Sequence, residues 1–140
     1  MRSTHFLLLT LCFAFPGVGF AQVPKQAVPI VAQNQSIQET LDAQPGRMLF
    51  LPAGDYEISA KLVFRSDGSG LYGPGRIIQT NPDASFFEIE HRAGVQFRDI
   101  VLTRPEGKQT TATEAINARE CQDLVLDNVT VKNHRTRSGV

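Results

Sequence analysis

Between Val95 and Val131 one pattern occurs twice at an offset of 29 residues: Val95-x-Phe97-x-Asp99-Ile100-x-Leu102 returns as Leu124-x-Leu126-x-Asn128-Val129-x-Val131. Each copy alternates apolar and polar side chains, as a strand with one buried face must, and each breaks at a single Asp or Asn. A short polar side chain at such a bend tolerates left-handed backbone angles and can bond its own main chain. Strand, tight corner, strand, repeated with a period of about 20 to 50 residues, is the pattern of coils stacked into a solenoid.

Carrying the offset upstream aligns Phe87 with Ile116 and Ile89 with Ala118, which adds a third strand to each coil. The expected strands are 86–90, 95–98 and 100–102 in the first regular coil, then 115–118, 124–127 and 129–132 in the second. Phe87, Ile89, Val95, Phe97, Ile100 and Leu102 then point inward, and Glu88, Glu90, Gln96 and Arg98 point out. Successive coils should rest about 4.8 Å apart, the spacing of hydrogen-bonded strands. Asp99 and Asn128 are expected to stack as a structural ladder at the corner.

The earlier sequence reads as the same construction in a less regular form. Met48–Leu51, Tyr56–Ile58 and Leu62–Phe64 are strand-like runs, separated by Pro52-Ala53-Gly54-Asp55 and other polar residues. Leu71-Tyr72-Gly73-Pro74-Gly75 with Ile77 and Ile78 looks like an irregular coil, with glycines where later coils carry side chains. Ahead of them, Ser36-Ile37-Gln38-Glu39 fits a capping box, and Ile37 and Leu41 fall on one face of a short helix ending near Ala43. Such a helix is suited to covering the apolar, unpaired end of a strand stack.

The chain start carries a secretory signature. Arg2 supplies the positive start, Phe6–Phe15 is an apolar run too short to span a bilayer, and Gly19-Phe20-Ala21 offers small residues at a cleavage site. The expected organisation is a signal peptide over 1–21, an extended leader with Pro24 and Pro29 over 22–33, and one solenoid domain over 34–140. A secreted or periplasmic location follows, with no membrane partner once the signal is cleaved. Without its signal the chain holds 13 basic and 14 acidic side chains, so nothing favours nucleic acid as a partner. One cysteine remains, Cys121, which excludes an internal disulfide; with His91 and His134 far apart in sequence, no metal cluster and no cofactor are expected.

Three phrases together carry a family resemblance: Ser36-Ile37-Gln38-Glu39-Thr40-Leu41, then Leu51-Pro52-Ala53-Gly54-Asp55-Tyr56-Glu57-Ile58, then Gly70-Leu71-Tyr72-Gly73-Pro74-Gly75. In them the chain resembles the amino-terminal part of pectate-lyase-like proteins over roughly residues 34–137. The resemblance implies an all-β, right-handed parallel β-helix with a short amino-terminal capping helix, truncated after its first coils. It also implies a polysaccharide partner, uronate-containing or neutral, lying along the first strands of successive coils. The Asn-Thr-Asp, Asp-Asp and His-Gly sets of polygalacturonases are missing, as are the calcium-binding Asp cluster and Arg base of pectate lyases. A polysaccharide lyase, a glycoside hydrolase, a uronate epimerase, a noncatalytic carbohydrate-binding or surface-attachment module and an inert fragment all remain open, because fold likeness does not decide chemistry.

Candidate contact residues follow from the aligned repeats. Glu88 should lie beside Asn117, and Glu90 beside Arg119, on the outer face of the first strands. Glu88 and Glu90 are spaced as the two carboxyls of an inverting glycosidase can be, although a solvated pair offset by Arg119 has the same pattern. His134, Arg135 and Arg137 form a basic turn able to hold uronate carboxylates. Arg104, Glu106 and Lys108 are expected in a solvated loop, His91 on the surface, and Cys121 as a small packed residue without a base beside it.

Overall fold

The computed structural model describes residues 28–32 and 34–136. One short helix, α1 (Ile37–Ala43), precedes strands that return repeatedly to three sheets. The first sheet holds β1 (Met48–Phe50), β4 (Gly70–Tyr72), β7 (Gln96–Arg98) and β11 (Val125–Asp127). The second holds β2 (Asp55–Ile58), β5 (Arg76–Gln79), β8 (Val101–Thr103) and β12 (Thr130–Lys132). The third holds β3 (Leu62–Phe64), β6 (Phe87–Glu90) and β10 (Ile116–Arg119). A small fourth sheet pairs β9 (Thr110–Thr111) with β13 (Arg135–Thr136). All pairings are parallel, and the chain is an all-β parallel β-helix of about four turns.

The alternating pattern places the side chains as expected. Phe87, Ile89, Val95, Phe97, Ile100 and Leu102 are all buried, and the strands around them begin and end within about a residue of the expected ranges. The centre of the core is aromatic. Phe87 stacks on Phe97 with ring centres 4.5 Å apart, and Phe64 meets Phe97 edge-on at 4.9 Å and Phe87 at 5.4 Å. At the corner between the first and second sheets, Asp99 and Asn128 have φ of 58° and 51°, and Asn128 donates from Nδ2 to Asp99 Oδ1 at 2.8 Å. The ladder therefore forms as expected.

A second left-handed position recurs with the same period. His91 (φ 54°) and Glu120 (φ 50°) end β6 and β10, and their side chains meet with Nδ1 2.9 Å from Oε2. Gly94 (φ 68°) and Asp123 (φ 52°) form a third such pair. Glu is not a residue type that announces this conformation, so the repeat alignment did not single out the first of these pairs.

The earlier coils are complete coils that close in fewer residues. Ile116 lies opposite Phe87, 29 residues back, whereas Phe87 lies opposite Leu62, 25 back, and Gly70 opposite Met48, 22 back. The main difference is the turn from the second sheet to the third, which lengthens along the stack: 59–61, then 80–86, then 104–115. Gly70 faces Gln96 across the first sheet, where an added Cβ would sit 1.9 Å from the Gln96 carbonyl oxygen.

Two devices cover the strands of the first coil. The amide of Gln38, on α1, takes the place of a neighbouring strand: its Nε2 donates to the Val63 carbonyl at 3.1 Å, and its Oε1 accepts from the Val63 N–H at 2.8 Å. Along β1, the leader does the same with main chain, through Val31 N–H to Phe50 O at 3.0 Å and Phe50 N–H to Pro29 O at 2.9 Å. Ser36 caps α1 by accepting from the Glu39 amide at 3.4 Å, while Ile37 and Leu41 join the core. Unpaired strand edges invite association, and both devices block it.

Candidate functional site

The outer face of the β3–β6–β10 sheet gathers the polar residues that the repeat brought into line. Glu88 lies opposite Asn117 and Glu90 opposite Arg119. The four side chains thus occupy two rungs of adjacent parallel strands, about 4.8 Å apart. Each carboxylate has a cation: Lys61 Nζ is in contact with Glu88 Oε2, and Arg119 Nη1 lies 4.0 Å from Glu90 Oε1. Glu88 is the more enclosed, with 18% of its side chain exposed against 47% for Glu90.

Two hollows border this face. One, of about 180 Å³, lies against Val63, Arg65, Glu88, Glu90 and Arg92. The other, of about 420 Å³, is reached over Lys61 and Asn117 and is walled by Asn81, Asp83, Thr113 and Glu114. Both walls of the second hollow come from the turns that enter the sheet, so the lengthening of those turns deepens it. The face and its two hollows present polar side chains with both signs of charge, suited to hydroxyl-rich ligands.

The basic turn does not assemble as one unit. Arg135 is exposed on β13, His134 faces inward, and Arg137 lies outside the described residues. His134 packs against Phe86, with ring centres 6.0 Å apart, and its Nδ1 accepts from Arg104 Nε at 3.1 Å. Burial pushes the imidazole below its ordinary pKa, and the nearby Arg104 charge adds to that; the Thr113 main chain and the Glu114 carboxylate oppose it.

Arg104 corrects the expectation of a solvated loop. It is 1% exposed, among the largest fully buried side chains, with its guanidinium 5.2 Å above the Phe86 ring. Nη1 donates to the Asn81 carbonyl at 2.7 Å and Nη2 to the Ala84 carbonyl at 2.6 Å. The guanidinium therefore fastens the 104–115 turn onto the 80–86 turn beneath it, and desolvation lowers its pKa from the usual very high value. Glu106 and Lys108 are exposed in the same turn, as expected. Cys121 is half-buried and packs against the core with its Sγ directed at the Ile89 and Arg119 carbonyls.

Among the described residues no three His, Cys, Asp or Glu side chains are grouped to hold a metal ion, and no helix is long and apolar enough to cross a membrane. No protein-family description, curated protein or solved structure matches the chain. The site must therefore be interpreted from its own geometry.

Proposed function

We propose that the chain is an exported, polysaccharide-directed protein that holds a glycan along the outer face of its β3–β6–β10 sheet. The observation that carries this reading is the register of Glu88 against Asn117 and Glu90 against Arg119. Polar side chains repeating from strand to strand, beside a hollow of about 420 Å³, offer a chain of sugars one hydrogen-bonding rung after another. Export rests on the apolar run Phe6–Phe15 and the small residues up to Ala21, which lie outside the described residues. The resemblance to pectate-lyase-like proteins supports the choice of polysaccharide as ligand class.

Recognition is favoured over turnover at these residues, because Glu88 and Glu90 are each set against a cation. A carboxylate in an ion pair is placed to hold hydroxyl groups rather than to deliver a proton. The test is a binding panel of neutral and acidic polysaccharides, with reducing ends and unsaturated products followed in parallel. Binding without turnover, weakened at least about fivefold by Glu88→Gln combined with Asn117→Ala, is expected. Turnover that disappears in the Glu88→Gln, Glu90→Gln double variant would replace this reading with a catalytic one.

A further inference from the structure

The β1–β4–β7–β11 sheet presents a second outer face whose chemistry differs from that of the first. Its registers put Met48, Gly70, Gln96 and Val125 in one outward row and Phe50, Tyr72, Arg98 and Asp127 in the next. Gly70, closely covered by Met48 Sδ and the Gln96 main chain, adds no side chain to the first row, and the leader at Val28 and Pro29 contributes to the lining, as do the turn residues Gly46 and Gly68. Between them lies a groove of about 610 Å³ over Tyr72, Gln96 and Arg98, with Arg47 also lining it. The groove is lined by two guanidinium groups and no carboxylate. Asp127 follows Arg98 on the next strand, yet among the described residues Arg98 makes no ion pair.

The floor is braced rather than loose. The Phe50 ring supports Tyr72 at 5.2 Å between centres, tilted by 53°. Arg98 Nη2 donates to Gln96 Oε1 at 3.0 Å, which links the two side chains and leaves the Gln96 amide nitrogen able to donate to a ligand. An aromatic face, a positioned guanidinium fork and a spare amide donor match three parts of one ligand: an apolar C–H face, a carboxylate and a hydroxyl.

We propose that this groove binds a carboxylate-bearing sugar residue of an acidic glycan. The sugar ring lies on Tyr72, its carboxylate meets Arg98 with Arg47 adding charge, and a ring hydroxyl accepts from Gln96. The inference rests on the reading of the protein as polysaccharide-directed, but it uses a different sheet and different residues. Together the two faces would let one coil stack hold a mixed or acidic chain on adjoining sides.

The experiment is calorimetric titration of the full chain with oligogalacturonate and with its carboxyl-reduced, neutral counterpart. Oligogalacturonate should bind more tightly, and the difference should shrink as salt is raised. Arg98→Gln should weaken the acidic ligand roughly tenfold, the weight of one charge-assisted bond, without altering the neutral one. Tyr72→Leu should weaken both, and Glu88→Gln with Asn117→Ala should leave the preference for the acidic ligand intact. Arg98 is exposed, so its variant should unfold at the same urea concentration as the parent, which separates loss of contact from loss of fold. Equal binding of the two ligands, or an acidic preference untouched by Arg98→Gln, would overturn this site while leaving the first face standing. Absence of binding by either ligand would remove this site, whereas binding of other polysaccharides abolished by the Glu88 and Asn117 changes would still uphold the first.

Discussion

The coil of β6, β7 and β8 and the coil of β10, β11 and β12 share one alternating pattern of inward apolar residues and have very different environments. Phe97 is fully buried, while Leu126 at the equivalent position is 52% exposed; Leu102 is fully buried, while Val131 is 44% exposed. The inward-pointing direction is the same in both. What differs is that the first coil has a paired coil on each side in all three sheets, and the second has pairing described on one side only. In a stacked fold, burial belongs to the interface between coils rather than to the coil itself. The coil of β1, β2 and β3 shows a third situation: α1 and the leader supply side-chain and main-chain bonds where no coil does.

The largest effect should come from breaking this difference at its centre. Phe97→Ala removes the ring that both Phe64 and Phe87 contact, and should cost about 3–5 kcal/mol in urea unfolding. Leu126→Ala, at the matching position, should cost less than about 1 kcal/mol, because half of that side chain is already in water. Equal losses at the two sites would mean that the inward face of the later coil is covered in solution. Next in size is Arg104→Met, which leaves the Asn81 and Ala84 carbonyls without their donor inside the stack and should cost about 2–4 kcal/mol. A loss below about 0.5 kcal/mol would show Arg104 to be solvated after all.

Much of this contrast was legible in the sequence, for a physical reason. The 29-residue repeat was visible because both of its copies carry the same turn lengths between the third, first and second sheets. The earlier coils, closing in 25 and 22 residues, hid theirs because two turns change length at once: 59–61 and 80–86 are shorter than 104–115, while 51–54 and 73–75 are longer than 99–100, so no single offset aligns their strands. Glu88, Asn117, Glu90 and Arg119 could be aligned since strand alternation fixes which way each side chain points. Arg104 could not be placed. Its immediate sequence is polar, and its burial depends on carbonyls of Asn81 and Ala84, 20 or more residues away in a turn without periodicity. The outer face around Tyr72 was missed for a related reason: its groove is bounded by the turn residues Gly46 and Gly68 and by the leader at Val28 and Pro29, which a repeat alignment does not weigh.

The covered first coil can be sharpened against the others by removing its substitute strand. Gln38→Ala should leave the Val63 N–H and carbonyl unpaired, cost about 1–2 kcal/mol, and increase light scattering at high protein concentration as the β3 edge becomes available. Destabilisation without association would mean that α1 shields the edge by bulk alone. Smaller again is Asn128→Ala, which places a Cβ without a compensating amide at φ 51° and removes the bond to Asp99, for about 1 kcal/mol. Asn128→Gly should lose less than Asn128→Ala, since glycine accepts that backbone angle. Equal losses in the two variants would point to the amide, not the backbone, as the main contribution of the ladder.

The smallest effect concerns the long 104–115 turn, whose Arg104 donates to a histidine that also packs against Phe86 of the turn beneath it. His134 has its folded-state pKa lowered, chiefly by burial and then by Arg104, so the folded protein takes up a proton less readily than the unfolded chain. Above the ordinary value of 6.5 the imidazole is neutral in both states, and its contribution to stability is fully present. As pH falls below 6.5 the unfolded chain binds a proton first, stability declines, and the decline levels off below the folded-state value. A protonated His134 would also place two cations at the 3.1 Å contact with Arg104, where Nδ1 could no longer accept. Urea midpoints between pH 7.5 and pH 5 should therefore fall more for the parent than for His134→Gln, whose side chain can accept from Arg104 without titrating. Parallel pH profiles for the two would show that the imidazole is open to water, and would remove the histidine from the account of how the longest turn is held.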